Sequence, residues 1–160
     1  MKRKLPHTRS CFVCGLDNHQ GLKLNFEADG PTVTARYLPK PEHIGFRDTI
    51  HGGIVATILD EIMVWACGVQ TQHFAYCAEL NVRFAKPVRP GMELLVVAGP
   101  VLNRKNRLFE AQAEIRAPGG EVLASVTGKY IPIKETDQAL LLADFVEDAS
   151  SIFLTDVQKI

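Results

Sequence analysis

From His51 to Gly68 the chain is apolar at almost every angle of a helical wheel, with Gly52 and Gly53 at one end and Gly68 at the other. That pattern predicts a helix buried on most sides, opened by the glycine pair and closed by the last glycine. Thr57, Asp60 and Glu61 interrupt it at spacings of three and four, so a narrow polar stripe runs into the most apolar part of the chain. Carboxylates in such a place are costly unless they are used.

Elsewhere the pattern alternates and predicts strands. Val33, Ala35 and Tyr37 alternate with polar residues between Thr32 and Leu38. Leu80, Val82 and Phe84 oppose Glu79, Asn81 and Arg83 between Cys77 and Ala85, and a similar alternation fills Arg107 to Ala117. Glu93 to Leu102 is nearly continuous apolar sequence and reads as one central strand, and Val122 to Ile133 completes a meander. One strand, one buried helix and four further strands predict an α+β fold, an antiparallel sheet wrapped around one long central helix. Pro39 to Ile50 is a loop into the helix, with His43, Phe46 and Arg47 as its notable side chains. The expected organisation is an N-terminal segment over 1–31 packed on the domain, the domain proper over 32–133, and a partly helical extension over 134–160. In that extension Thr136 or Asp137 caps a helix through Leu140 to Val146, and Ile152, Phe153 and Leu154 form an apolar patch that docks on its own domain or on a neighbouring subunit.

Composition changes the picture chiefly by exclusion. A net charge of zero over 160 residues, 46% of them hydrophobic, fits one globular domain and argues against bulk electrostatic capture of nucleic acid. The basic start, Met1 to Pro6, lacks the apolar run of a secretory signal, and no apolar stretch is expected to span a bilayer; the expected place is the cytoplasm, with no membrane partner. The four cysteines are then expected to be thiols. Cys11, Cys14 and nearby His19 have the spacing of half a zinc site, but no second Cys-x-x-Cys follows. The favoured reading is a glycine-rich turn whose cysteines and Phe12 pack in the core, and no metal is assigned.

A helix that begins at Gly-Gly presents backbone N–H groups with no side chain in the way, at the positive end of its dipole. An oxyanion hole needs little more. Asp60 lies about 12 Å farther along the axis, at about 1.5 Å per residue, so one carbonyl cannot easily meet both groups within one chain. Two antiparallel copies of the helix would bring the amino end of one to Asp60 of the other, which predicts a homodimer with shared sites.

With these elements in hand, the sequence resembles the hotdog-fold acyl-CoA thioesterases of the PaaI-like branch, related to 4-hydroxybenzoyl-CoA thioesterases. The likeness runs from about Cys11 to Ile133 and rests on His51-Gly52-Gly53 followed by Asp60, on Cys11-Phe12-Val13-Cys14-Gly15 with Asn18 and Gly21-Leu22, and on Glu79 to Phe84 with Pro87. It implies a hotdog fold, homodimers often paired into homotetramers, and hydrolysis of a medium-chain, long-chain or aromatic acyl-CoA. No cofactor is implied, coenzyme A being part of the substrate.

By position, the resemblance makes Asp60 the catalytic carboxylate, as general base or nucleophile, Gly52 and Gly53 the oxyanion donors, and His51 the residue that shapes the turn. Cys77 stands where relatives often carry serine or threonine to orient water. Gly45 stands where some carry asparagine or glutamine, which leaves His43 or Phe46 to shape the acyl pocket. Only one of Asp60 and Glu61 should face the thioester, and the family spacing favours Asp60. Glu61, Asn81, Arg83, Arg104 and Lys105 are assigned to substrate binding, with Lys86, Arg89 and Arg107 as further candidates for the coenzyme A phosphates. Two other readings stay open: a non-catalytic acyl-CoA binding or sensing domain, and a hotdog hydratase or dehydratase, for which His51 would supply the histidine.

Overall fold

A computed structural model describes residues 2–147, 149 and 152 of the protein. Strand β1 (Arg3–Lys4) is followed by β2 (Phe26–Asp29) and β3 (Thr32–Tyr37), and a small hairpin of β4 (Ile44–Phe46) and β5 (Thr49–Ile50) leads into α1 (Gly52–Thr71). Then come β6 (Ala75–Phe84), β7 (Leu94–Ala98), β8 (Leu102–Arg104), β9 (Leu108–Arg116), β10 (Val122–Pro132) and α2 (Glu135–Leu142). The large sheet runs β1-β2-β3-β7-β9-β10-β6, with β8 paired to β9, and every pairing is antiparallel. Its inner face wraps α1, whose Ile58, Leu59, Ile62 and Met63 are wholly buried against it. The α+β wrap anticipated from the pattern is the fold.

Several expected boundaries move, each for a local reason. The sheet does not begin at Thr32, because β2 pairs with β3 through a turn in which Gly30 takes a positive φ of 56°. Four residues of β2 are too few to stand out by alternation. The apolar run Glu93 to Leu102 is two strands rather than one, broken around Gly99 and Pro100, where proline has no N–H for the ladder. Gly68 does not close the helix. A Cβ there would lie 2.8 Å from the Phe74 ring, so this glycine makes room for a core aromatic, and α1 runs on to Thr71 before Gln72 stops it in the left-handed region.

The cap expected at Thr136 or Asp137 is also displaced: both lie inside α2, whose N-cap is Lys134, with no side-chain cap bond. The extension nevertheless docks on its own domain. Phe145 is buried, Val146 N–H donates to the His7 carbonyl, and the Gln138 side chain accepts from the Phe74 N–H. Ile152 is fully buried, while Phe153 and Leu154 lie outside the described residues. Phe12 points out at 41% exposure, and Val13 and Cys14 fill the core in its place. By length and composition α1 is long and apolar enough to cross a membrane, contrary to the expectation that no stretch would be. Its place at the centre of the sheet accounts for that composition without a bilayer.

The core holds together at Trp65. Its ring lies 5.5 Å from Phe26 and 5.7 Å from both Phe74 and Phe145, so the N-terminal segment, the helix and the C-terminal extension meet on one side chain. Trp65→Ala is expected to destabilise the protein by about 3–5 kcal/mol, read as a lower denaturant midpoint. A loss below about 1 kcal/mol would mean that these segments do not share one core.

Among the described residues, two surfaces near the helix and the sheet edge are incompletely covered. On α1 a stripe through Gly53, Ala56, Thr57, Asp60 and Val64 is only partly covered. Strand β6 lies at the sheet's edge, pairs among the described residues only with β10, and exposes Tyr76 and Phe84.

Candidate active site

Asp60 sits on the partly covered stripe of α1 and is held from the sheet. Tyr130 Oη donates to Asp60 Oδ1 at 2.7 Å. Tyr130 is fully buried on the inward register of β10, after Val126 and Gly128, and Gly128 makes room for it, since a Cβ there would lie 2.6 Å from the tyrosine ring. Burial, then the charge of Asp60, pushes the Tyr130 hydroxyl far above its ordinary value, so it serves only as a donor. Across the β6–β10 ladder Cys77 faces Tyr130, with Ala78 as the extra residue of a bulge. The Cys77 thiol is raised by burial and then by Asp60, and Cys67 is pushed up to about 12 by the same two causes. Asp60, Tyr130, Cys67 and Cys77 therefore share one electrostatic neighbourhood.

Tyr130 is the residue that sequence reasoning missed. Its signal was available: a tyrosine on the inward register of a strand needs a partner for its hydroxyl. Which carboxylate would be that partner depends on how β10 crosses α1.

The amino end of α1 is the second half of the site. His51 is the N-cap, and its Nδ1 accepts from the Gly53 N–H at 2.9 Å. The His51 carbonyl takes the N–H groups of Ile54 and Val55. Among the described residues that leaves the Gly52 N–H as the first-turn donor without an acceptor, so the expected pair of donors becomes one, with the Gly53 N–H held in the cap. Gly52 borders a depression of about 330 Å³, lined also by Ile50, Val55, Phe84, Lys86 and Val88. Gly45 has no side chain because a Cβ would lie 2.8 Å from His51 Cα, where the β4–β5 hairpin presses on the cap.

The other expected binding residues divide. His43 is tied down locally: its Nδ1 accepts from Tyr37 Oη at 2.9 Å and from the Lys40 N–H, and burial, then Lys40, lowers its pKa and keeps it neutral. Phe46 is 75% exposed. Asn81 and Arg83 point to the outer face of the sheet, where they border a depression of about 480 Å³ on the side away from α1. Arg104 bonds Glu110, and Lys105 turns the chain after β8 beyond the carboxyl end of α1, where Gln70 holds Gly99 and Val101. One chain thus does not bring Asp60, Gly52, Arg83 and Arg104 together.

Glu61 faces another way. One residue from Asp60 turns the side chain by about 100°, and Glu61 meets the N-terminal turn: Oε1 accepts from Trp65 Nε1 at 3.1 Å and lies 3.5 Å from Cys11 Sγ and 3.8 Å from Cys14 Sγ. His19, the expected third member of the cysteine group, is exposed and outside it. All four cysteines are free thiols. Cys11 is lowered to about 5, first by its bond with the Cys14 thiol and then by the backbone N–H groups of Cys14 and Val13, while Cys14 is pushed up. Cys77 is the more exposed thiol but the less ionised one. In metal-free protein at pH 6.5, iodoacetamide is therefore expected to label Cys11 at least about tenfold faster than Cys77, the gap closing above pH 9 as Cys77 loses its proton. Faster labelling of Cys77 in peptide maps at pH 6.5 would contradict this ordering.

Comparison with known proteins agrees with the fold. The family model described as the thioesterase superfamily matches residues 48–124, from the β4–β5 hairpin to the start of β10. A solved thioesterase superfamily protein, 22% identical, superposes with a TM-score of 0.71 over 77% of this chain, which spans 60% of that protein's length. Zebra fish thioesterase superfamily member 2 (20% identical, TM-score 0.64) is matched over 73% of this chain and 86% of its own. Escherichia coli PaaI, from the phenylacetic acid degradation operon (19% identical, TM-score 0.64), is matched over 71% and 81%. A Streptococcus mutans protein solved with bound acetyl CoA superposes at 0.63, 14% identical, over 69% and 88%. No curated protein sequence matches the chain. Residues 48–124 thus match the thioesterase superfamily, and the chain as a whole has the hotdog fold of its solved members.

Proposed function

We propose that the protein is an acyl-CoA thioesterase of the PaaI-like kind, acting as a homodimer with two shared sites. The observation that carries this reading is the pairing of a carboxylate fixed by Tyr130 on a partly covered helix face with an unoccupied N–H at the amino end of that helix. The two groups are about 12 Å apart along one axis, and a second copy running antiparallel brings each to the other's counterpart. The free edge of β6, with Tyr76 and Phe84 exposed, supports a second copy there as well, since a long unpaired apolar edge otherwise invites aggregation.

In this mechanism the thioester carbonyl oxygen takes the Gly52 N–H, with the helix dipole behind it, and the depression beside Phe84 receives the group next to the carbonyl. Asp60 of the facing protomer takes a proton from water as that water attacks, and Tyr130 keeps the carboxylate aimed by holding Oδ1 while Oδ2 works. Collapse of the tetrahedral intermediate expels the coenzyme A thiolate. The Streptococcus mutans relative bound to acetyl CoA supports the ligand class. The test is release of free thiol from a panel of short-chain, long-chain and aromatic acyl-CoAs by the purified protein. Binding of an acyl-CoA without thiol release would leave a sensor in place of an enzyme.

A further inference from the structure

We propose that Cys11, Cys14 and Glu61 form a zinc site that fastens the N-terminal turn to the central helix. In place of the exposed His19, α1 supplies the third donor, and the three donor atoms lie within 4.8 Å of one another.

Three observations carry the inference. First, the turn is shaped to present both thiols together. Val13 N–H donates to Cys11 Sγ at 3.2 Å, the Gly15 N–H closes the turn onto the Cys11 carbonyl at 2.8 Å, and a Cβ on Gly15 would collide with that carbonyl and lie 2.6 Å from Cys11 N. An N–H aimed at sulfur, as that of Val13 is, stabilises thiolate, the form that binds metal.

Second, the spacings are those of a tetrahedron's edges. With metal–sulfur bonds of about 2.3 Å and metal–oxygen bonds of about 2.0 Å, sulfur and oxygen ligands stand about 3.5 Å apart. Glu61 Oε1 is 3.5 Å from Cys11 Sγ and 3.8 Å from Cys14 Sγ.

Third, the surroundings orient the donors and leave room for a fourth. Trp65 Nε1 holds Glu61 Oε1, and the Thr8 hydroxyl lies 3.3 Å from Cys14 Sγ while accepting from the Cys11 N–H. A cavity of about 390 Å³, bordered by Ser10, Cys11, Glu61 and Trp65, opens beside the group and admits a water as the remaining ligand.

Charge points the same way. Two thiols and a carboxylate stand together, and among the described residues no lysine, arginine or histidine bonds any of the three donors. A divalent cation replaces the shared protons and relieves that crowding. Two thiolates with one carboxylate suit zinc over calcium or magnesium, which take oxygen ligands.

The test uses the full chain, stripped of metal under reducing conditions and titrated with Co2+ as the spectroscopic stand-in. The expected result is one equivalent per chain, with sulfur-to-cobalt charge transfer and tetrahedral-strength visible bands, displaced by Zn2+. Cys11→Ser and Cys14→Ser each weaken or abolish the charge transfer, and Glu61→Gln lowers affinity by at least about tenfold. A measurement that needs no variant is the alkylation of Cys11 in wild-type protein, expected to slow by at least about tenfold when Zn2+ is added. An unchanged alkylation rate, absence of stoichiometric Co2+ binding, or a Glu61→Gln protein that binds as tightly as wild type would overturn the proposal. Glu61 and Asp60 face different partners, so these readouts are independent of thioester hydrolysis.

Discussion

Asp60→Asn is expected to lower kcat for thioester hydrolysis by about two to four orders of magnitude, the range for a lost general base, with little change in KM. An asparagine can still accept the Tyr130 hydroxyl through its amide oxygen, so the fold should survive the change. The check is steady-state kinetics beside thermal unfolding: a variant that unfolds early says nothing about catalysis, and a stable variant with wild-type turnover removes Asp60 from the reaction. Single turnover in 18O-labelled water separates the two possible roles. A general base sends the label straight into the acid product, whereas a nucleophile first places solvent oxygen in its own side chain.

The second large effect is expected at Gly52. Proline is welcome at the first position of a helix, where its fixed φ suits the backbone and its missing N–H breaks no internal bond. His51 before it has φ −57° and ψ 128°, a conformation that tolerates a following proline, and a Cβ on Gly52 meets only the Phe84 ring, at 3.4 Å. Gly52→Pro therefore deletes one N–H and little else. If that N–H is the oxyanion donor, kcat falls by about 10²–10³-fold while the melting point holds, and Gly52→Ala, which keeps the donor, stays active.

Together these two variants test the shared site. In a mixed dimer of Asp60→Asn with Gly52→Pro, one site carries both lesions and the other carries neither. Random reassortment of two nearly inactive proteins should then recover about a quarter of wild-type activity, half of the dimers having one good site of two. Sites contained within single chains would recover none.

The expected helix, the inward faces of β3 and β9 and the wrapped sheet were legible because a buried face imposes a period, whereas β6, expected to bury Leu80, Val82 and Phe84, leaves Phe84 exposed at the sheet edge. What was misjudged was short or non-local. The four residues of β2 alternate, with Phe26 and Ala28 buried, but over too short a stretch to stand out, and the break around Gly99 and Pro100 is hidden in a run of valines and leucines. Gly68 looked like a terminator because its reason for being glycine, the Phe74 ring, lies beyond the helix it seemed to end.

The site divides along the same line. Residue type and spacing were enough to single out Asp60, the glycine pair and the Cys-x-x-Cys turn, because a carboxylate in an apolar helix and glycines at a helix start are anomalies visible in one dimension. Partners were decided only in three dimensions. Tyr130 meets Asp60 from a distant strand, and Glu61 turns away to Cys11 and Cys14. His51 takes the Gly53 N–H, a contact of neighbours that depends on a side-chain rotamer. The sequence by itself determined which groups are chemically unusual and that one long helix lies inside a sheet; the tertiary structure decided which unusual groups meet. Hydrophobic periodicity is a local property of the chain, whereas a hydrogen bond or a ligand set depends on the directions of elements that approach only once the core has closed.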